Sequence, residues 1–170
     1  MRRIITILAV IGLVSCQRPP PQTTVDAQFV PYLEAFMQQA HANGRWVDDS
    51  RLSIEMSDYM PTPQTLGYCQ IFDETQLVVI SRAWWNSAGF AISDREELIF
   101  HELRHCLLGL VHVNTLTGDG IPTTIMNAHH FAGALYAVNR EAYIAEEFNA
   151  LNVQPLYWFG TPQATGYGED

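Results

Sequence analysis

Residues 101–112 read His-Glu-Leu-Arg-His-Cys-Leu-Leu-Gly-Leu-Val-His, and this stretch limits the fold more than any other. His101 and His105 stand four apart. On a helix that spacing puts both imidazoles on one face, one turn from each other. Glu102 follows the first histidine and leans toward the same site without taking a ligand position. The H-E-x-x-H spacing thus pairs two zinc ligands with a carboxylate general base. His112 follows Gly109 and offers a third imidazole. Three neutral imidazoles leave the fourth tetrahedral position open for water, which a catalytic zinc needs and a structural zinc lacks. The chain therefore needs a helix through residues 101–105 and a loop that returns His112 to it.

The flanking sequence agrees with such a helix. Ser93 and Glu96 have the spacing of a capping box, with Ser93 as N-cap. Asp94, Glu96 and Glu97 fall in the first turn, where acids suit the helix dipole. Leu98, Ile99, Phe100, Leu103, Cys106, Leu107 and Leu110 supply a broad apolar face. Gly109 offers a left-handed stop. These signals predict a helix over about residues 94–108, with both histidines in its second half.

Downstream, a loop rich in Gly, Thr and Asn leads to Ile121-Pro-Thr-Thr-Ile125-Met126-Asn127. Over roughly residues 45–150 the chain resembles the metzincin clan of zinc peptidases. Their signature is H-E-x-x-H-x-x-G-x-x-H followed by a methionine turn. The chain also resembles small bacterial secreted or lipid-anchored metallopeptidases with a His-Glu-x-x-His-Cys-x-Leu helix. The resemblance implies zinc as cofactor, with His101, His105 and His112 as its ligands. It makes Glu102 the general base, Met126 the turn methionine and a peptide or protein the substrate. It further implies that the strand at residues 76–81 forms the upper rim of the cleft, holding an extended peptide by strand addition.

The chain departs from the clan pattern in two places. Three residues, Cys106, Leu107 and Leu108, separate the second histidine from Gly109 where the clan has two. One extra helical residue turns the exit by ~100° and advances it by ~1.5 Å, which the following loop must absorb. The clan's tyrosine two residues after the methionine is replaced by Ala128, followed by His129 and His130. Two other readings stand beside the peptidase. One is a zinc-binding lipoprotein without turnover. The other is a zincin whose third ligand is a glutamate of the last helix, Glu141, Glu146 or Glu147.

The first residues set the destination. Met1-Arg2-Arg3 is a basic start, and residues 4–14 form an apolar run of signal-peptide length. Leu13-Val14-Ser15-Cys16 resembles the bacterial lipobox, which implies a lipid-modified Cys16 as the first residue after cleavage. Gln17 stands where an aspartate would signal inner-membrane retention, so an outer-membrane or surface anchor is expected in a Gram-negative host. Arg18-Pro-Pro-Pro-Gln-Thr-Thr24 reads as an extended tether. The expected organisation is a leader at 1–15, a tether at 16–25, a metallopeptidase-like domain at 26–160 and a tail at 161–170. The domain is long enough to bury a core unaided. The formal charge of −9 counts two leader arginines, so the exported chain stands near −11, and lysine is absent. Such a surface argues against nucleic acid and against electrostatic attraction to anionic lipid. Attachment to the membrane is left to the lipid on Cys16.

With Cys16 lipidated, Cys69 and Cys106 remain. An even pair in an oxidising compartment invites a disulfide, the other reading being two buried thiols. The remaining pattern gives a helix over about 26–42 and an alternating strand over 51–57, with Leu52, Ile54 and Met56 on one face. Short strands follow at 68–72 and 76–81, joined by a turn at 73–75, and a final helix is read over about 139–151. The expected fold is α+β: helices on one face of a small mixed sheet, in the minimal metzincin plan.

Overall fold

The computed structural model describes residues 23–73, 75–148 and 165–167. The leader, Cys16 and most of the tether lie outside them. The elements run α1 (Val30–Ala42), β1 (Leu52–Ser57), β2 (Gly67–Phe72), β3 (Thr75–Ser81), the one-turn α2 (Arg82–Trp85), α3 (Ile92–Leu103), a π-helical turn (Arg104–Leu108), α4 (Gly133–Glu147) and β4 (Thr165–Tyr167). The fold is α+β, as the pattern predicts.

The strand order is β1-β3-β2-β4. β2 and β3 form an antiparallel hairpin with Phe72 opposite Thr75, and Asp73 turns it at φ 51°. β1 lies parallel to β3, with Ile54 opposite Val78. β3 therefore lies between β1 and β2, and β2 turns its other side to β4. This corrects the expectation that residues 76–81 form the cleft rim, because both sides of β3 are taken. Thr24 and Val25, at the end of the expected tether, lie along the other side of β1. Val25 bridges Ile54, and Ile54 N–H donates to Thr24 O over 2.9 Å. Strand β4 falls within the expected tail and pairs antiparallel with β2.

One face of the sheet is apolar because the period of two puts Leu52, Ile54, Cys69, Val78 and Ile80 on the same side. All five are buried in one core with Phe29 and Phe36, Leu98, Ile99, Phe100 and Leu103 of α3, and Tyr143 and Ile144 of α4. The rings of Phe36 and Phe100 meet edge to face at 5.3 Å, joining α1 to α3. α3 is thus held between the sheet and two other helices. Its first histidine is fixed by burial as well as by backbone geometry.

Four helix boundaries differ from the sequence reading. α1 starts at Val30 rather than Asp26, with Pro31 in its first turn, where a missing N–H costs nothing. α3 starts at Ile92, two residues before the expected point, and its N-cap is Ala91 rather than Ser93. The cause is Asp94. Its Oδ2 accepts the Ala91 N–H at 2.7 Å, and its Oδ1 accepts the Gly133 N–H at 2.8 Å. One carboxylate therefore serves the N-termini of α3 and α4, both of which favour negative charge. The same bond explains why α4 begins at Gly133, ahead of the expected 139. A Cβ at Gly133 would lie 2.5 Å from Asp94 Cγ and 2.6 Å from its backbone nitrogen. Only glycine permits this approach.

The fourth difference is at the end of α3. The regular helix stops at Leu103, and Arg104–Leu108 form a π turn. A π turn is an α-helix carrying one extra residue in a wider loop of backbone. It takes up the additional residue between His105 and Gly109 inside the helix rather than in the loop after it. Gly109 then closes the turn at φ 67°, and Leu110 N–H donates back to Arg104 O at 3.2 Å. Two ties hold this wider turn to the sheet. Gln76 Nε2 donates to Cys106 O at 2.9 Å, and Cys106 is disulfide-bonded to Cys69 with Cα atoms 5.5 Å apart. A third tie runs to α4, from the buried Arg104 Nη2 to Tyr143 O at 3.5 Å. Burial works against the Arg104 charge, while Glu146, Tyr136 and Glu97 support it.

Candidate metal centre

His101 and His105 lie on the buried face of α3 and the π turn, one helical turn apart. Each ring is oriented by a backbone carbonyl. His101 Nδ1 is 2.5 Å from Ile125 O, and His105 Nδ1 is 2.6 Å from Leu110 O. A carbonyl only accepts, so both Nδ1 atoms carry hydrogen and both Nε2 atoms present a lone pair. The two Nε2 atoms stand 3.0 Å apart. His112 Nε2 completes a triangle, 3.2 Å from that of His101 and 3.1 Å from that of His105.

The loop that returns His112 is laced to the segment carrying Met126. Val113 N–H donates to Met126 O at 2.7 Å, Ala128 N–H to Asn114 Oδ1 at 2.8 Å, and Thr123 N–H to Thr115 O at 3.0 Å. Met126 itself is buried, and its N–H is held by Thr124 Oγ1. The segment 121–128 therefore acts on two of the three histidines. The Ile125 carbonyl fixes the ring of His101, and the Met126 carbonyl fixes the chain next to His112. Backbone partners of this kind set the tautomer and direction of metal-binding histidines.

The donor set suits a metal ion. Among the described residues, these three histidines form the one cluster of His, Cys, Asp or Glu side chains able to hold one. Two bare imidazole nitrogens 3.0 Å apart repel unless a cation lies between them. Tetrahedral donors ~2.0–2.1 Å from zinc stand ~3.3–3.4 Å from one another, so the triangle needs only a slight opening. Electrostatics keep the rings neutral, as ligation requires. Burial holds His101 well below the ordinary imidazole range, and the neighbouring His105 adds to this. Burial, then His112, pushes His105 down to about 3.

Glu102 is fully buried, and neither carboxylate oxygen has a hydrogen-bond partner among the described residues. Burial first, and then the charge of Glu97, raises its carboxyl well above the usual range. The space for it is made by Gly67 at the start of β2. A Cβ there would lie 3.0 Å from Glu102 Oε1 and 3.1 Å from its Cγ. An unpaired carboxylate is costly in such a place.

The remaining sequence candidates are placed elsewhere. His130 lies against α3, with Nδ1 2.9 Å from Glu97 Oε2 and Nε2 3.6 Å from Asp94 Oδ1. His129 is exposed. Neither belongs to the triad. Glu141 is exposed, and the charge of Glu146 acts on Arg104. With His112 in the triangle, no downstream glutamate is needed as third ligand. Sequence reasoning did not find the parts played by Gly67, Asp94, Gln76 or the carbonyls of Leu110 and Ile125. Comparison with models of known families, with curated proteins and with solved structures finds no match to this chain.

Proposed function

We propose that the chain is a zinc-dependent endopeptidase of minimal metzincin-like design, exported and anchored through a lipid on Cys16. The observation that carries this reading is the pairing of two features at one helix. Three histidine Nε2 atoms converge within 3.0–3.2 Å, and the carboxylate next to the first of them is buried without a hydrogen-bond partner among the described residues. Three imidazoles without a fourth protein ligand fit a catalytic site rather than a structural one. Zinc is the metal that such a set most often holds.

When bound, zinc lowers the pKa of a water molecule and polarises a carbonyl. His101, His105 and His112 hold the ion through nitrogens whose tautomers are set by the backbone. Glu102 accepts the proton of the attacking water and passes it to the leaving amine. Burial makes it a stronger base than a carboxylate of ordinary acidity. The disulfide and Gln76 hold the π turn, and so keep His105 in line with its partners. An extended peptide would find main-chain partners on the side of β2 that the three-residue β4 takes, and β2 is the strand that packs on Glu102.

Metal analysis and a casein-cleavage assay on two variants test the reading. Glu102→Ala should retain about one zinc per chain and lose at least a hundredfold in rate, the usual scale for removing a general base. His112→Ala should lose both metal and hydrolysis. Full activity of the Glu102 variant refutes the mechanism. Unchanged zinc affinity in the His112 variant refutes the ligand set.

A further inference from the structure

We infer that strand β4 occupies the edge of β2 on which an extended substrate would lie, so that the C-terminal segment of the chain competes with substrate for its own site. The inference rests on the peptidase reading above and adds a form of self-inhibition to it.

The argument begins with backbone direction. Ser81 N–H donates to Leu66 O at 2.8 Å, so at Leu66 the main chain faces β3. Successive residues of a strand turn their N–H and C=O groups to opposite sides. Tyr68 and Gln70 therefore also face β3, while Gly67 and Cys69 face away from it. These two are the residues that pair with β4: Gly67 stands opposite Tyr167, and Cys69 opposite Thr165. β4 takes the outward hydrogen-bonding groups at this end of the β2 edge.

The same two residues also touch the helix that carries the site. Cys69 is bonded to Cys106, directly after His105. Gly67 presents its bare α-carbon to the Glu102 carboxylate. A strand laid on this edge passes about 4.8 Å from β2, and its residue opposite Gly67 lies next to the one that packs on Glu102. No other edge offers that approach. β3 is central, and β1 is separated from β2 by it. A peptide held for attack near Glu102 and β4 thus require the same main-chain groups. β4 is only three residues long, and its register with β2 is antiparallel. A longer substrate strand can make more such bonds and displace it.

The test uses the full zinc-loaded chain and the variant Thr165→Pro/Tyr167→Pro. Residues 165 and 167 face β2, and proline removes the N–H that each contributes. The first readout is amide exchange. Gly67 and Cys69 should exchange at least tenfold faster in the variant, while Tyr68 and Gln70, bonded to β3, stay as protected as in the parent and report an intact sheet. The second readout is casein hydrolysis, where kcat/KM should rise at least tenfold in the variant, chiefly through a lower KM. A synthetic peptide of residues 161–170 should inhibit the variant competitively. Equal exchange at Gly67 and Cys69 in both proteins overturns the inference whatever the activity. Faster exchange with unchanged hydrolysis shows β4 to be an edge cover only and overturns the competition. If neither protein hydrolyses casein although exchange differs, the peptidase reading falls and the competition with it, leaving β4 again as an edge cover.

Discussion

Opening the Cys69–Cys106 bond perturbs the fold at the place where sheet and ligand helix are joined. The two cysteines are 37 residues apart in sequence, and the loop they close contains β3, α2, α3 and the first two histidines. In the chain-entropy model a loop of that length removes about 13 cal/mol/K from the unfolded ensemble, which is about 4 kcal/mol at 25 °C. Reduction of the unaltered chain isolates this contribution, because no side-chain atom is deleted from the core. Urea unfolding of oxidised and reduced metal-free protein measures it. With a urea slope of about 2 kcal/mol/M for a domain of this size, the midpoint should fall by about 2 M. The thermal midpoint should fall by roughly 8–15 °C. The slope should also steepen on reduction, since an unfolded chain without the cross-link exposes more surface. A stability change below about 1 kcal/mol would refute the reasoning. So would two titratable thiols in protein recovered from an oxidising compartment.

Three further outcomes follow from the packing and the charges. Gly133→Ala should destabilise the domain by about 2–4 kcal/mol in urea unfolding, because the added methyl meets the Asp94 backbone and breaks a charge-assisted bond shared by two helix N-termini. Unchanged stability would mean that α4 is not set by Asp94. Gly67→Ala should keep zinc and lower casein turnover about tenfold or more, since its Cβ would push on Glu102 Oε1; parental kcat would contradict that role. In metal-free protein, folded His105 stays neutral down to about pH 3, and burial depresses His101 as well. The unfolded chain takes up those protons below pH ~6.5, so stability should fall as pH drops from there toward 3. Glu102 acts in the opposite sense. Its raised folded pKa means that its contribution is present at low pH and lost as pH rises above ~4.5 through the folded value. Two histidines outweigh one carboxylate between pH ~5 and ~6.5, and a flat stability profile there would contradict the burial of the pair.

What the sequence discloses is what local physics decides. The helix around His101 and His105 follows from spacing and apolar period, and the β2–β3 hairpin follows from two short runs separated by a turn. The position of the hairpin in the sheet was not legible. Parallel pairing of β1 with β3 joins residues more than twenty apart, and it puts β3 between β1 and β2, with β4 on the far side of β2. That exchange leaves residues 76–81 paired on both sides. The capping of α3 was misread for a related reason: Ser93 has the spacing of an N-cap, but Asp94 gains two partners at once, one of them 39 residues away. At the ligand helix, the extra residue before Gly109 marked an irregularity without saying where it would be absorbed. Left in the loop, it would have to be undone by residues 110–112 alone. Taken up as a π turn, it is stabilised where Gln76, Cys69 and Tyr143 can hold the widened backbone. The disulfide is then more than a staple. It secures the one segment of the ligand helix whose own hydrogen bonding is irregular, directly beside His105. The spacing that departs from the metzincin signature and the cysteine that follows the second histidine are two parts of one arrangement.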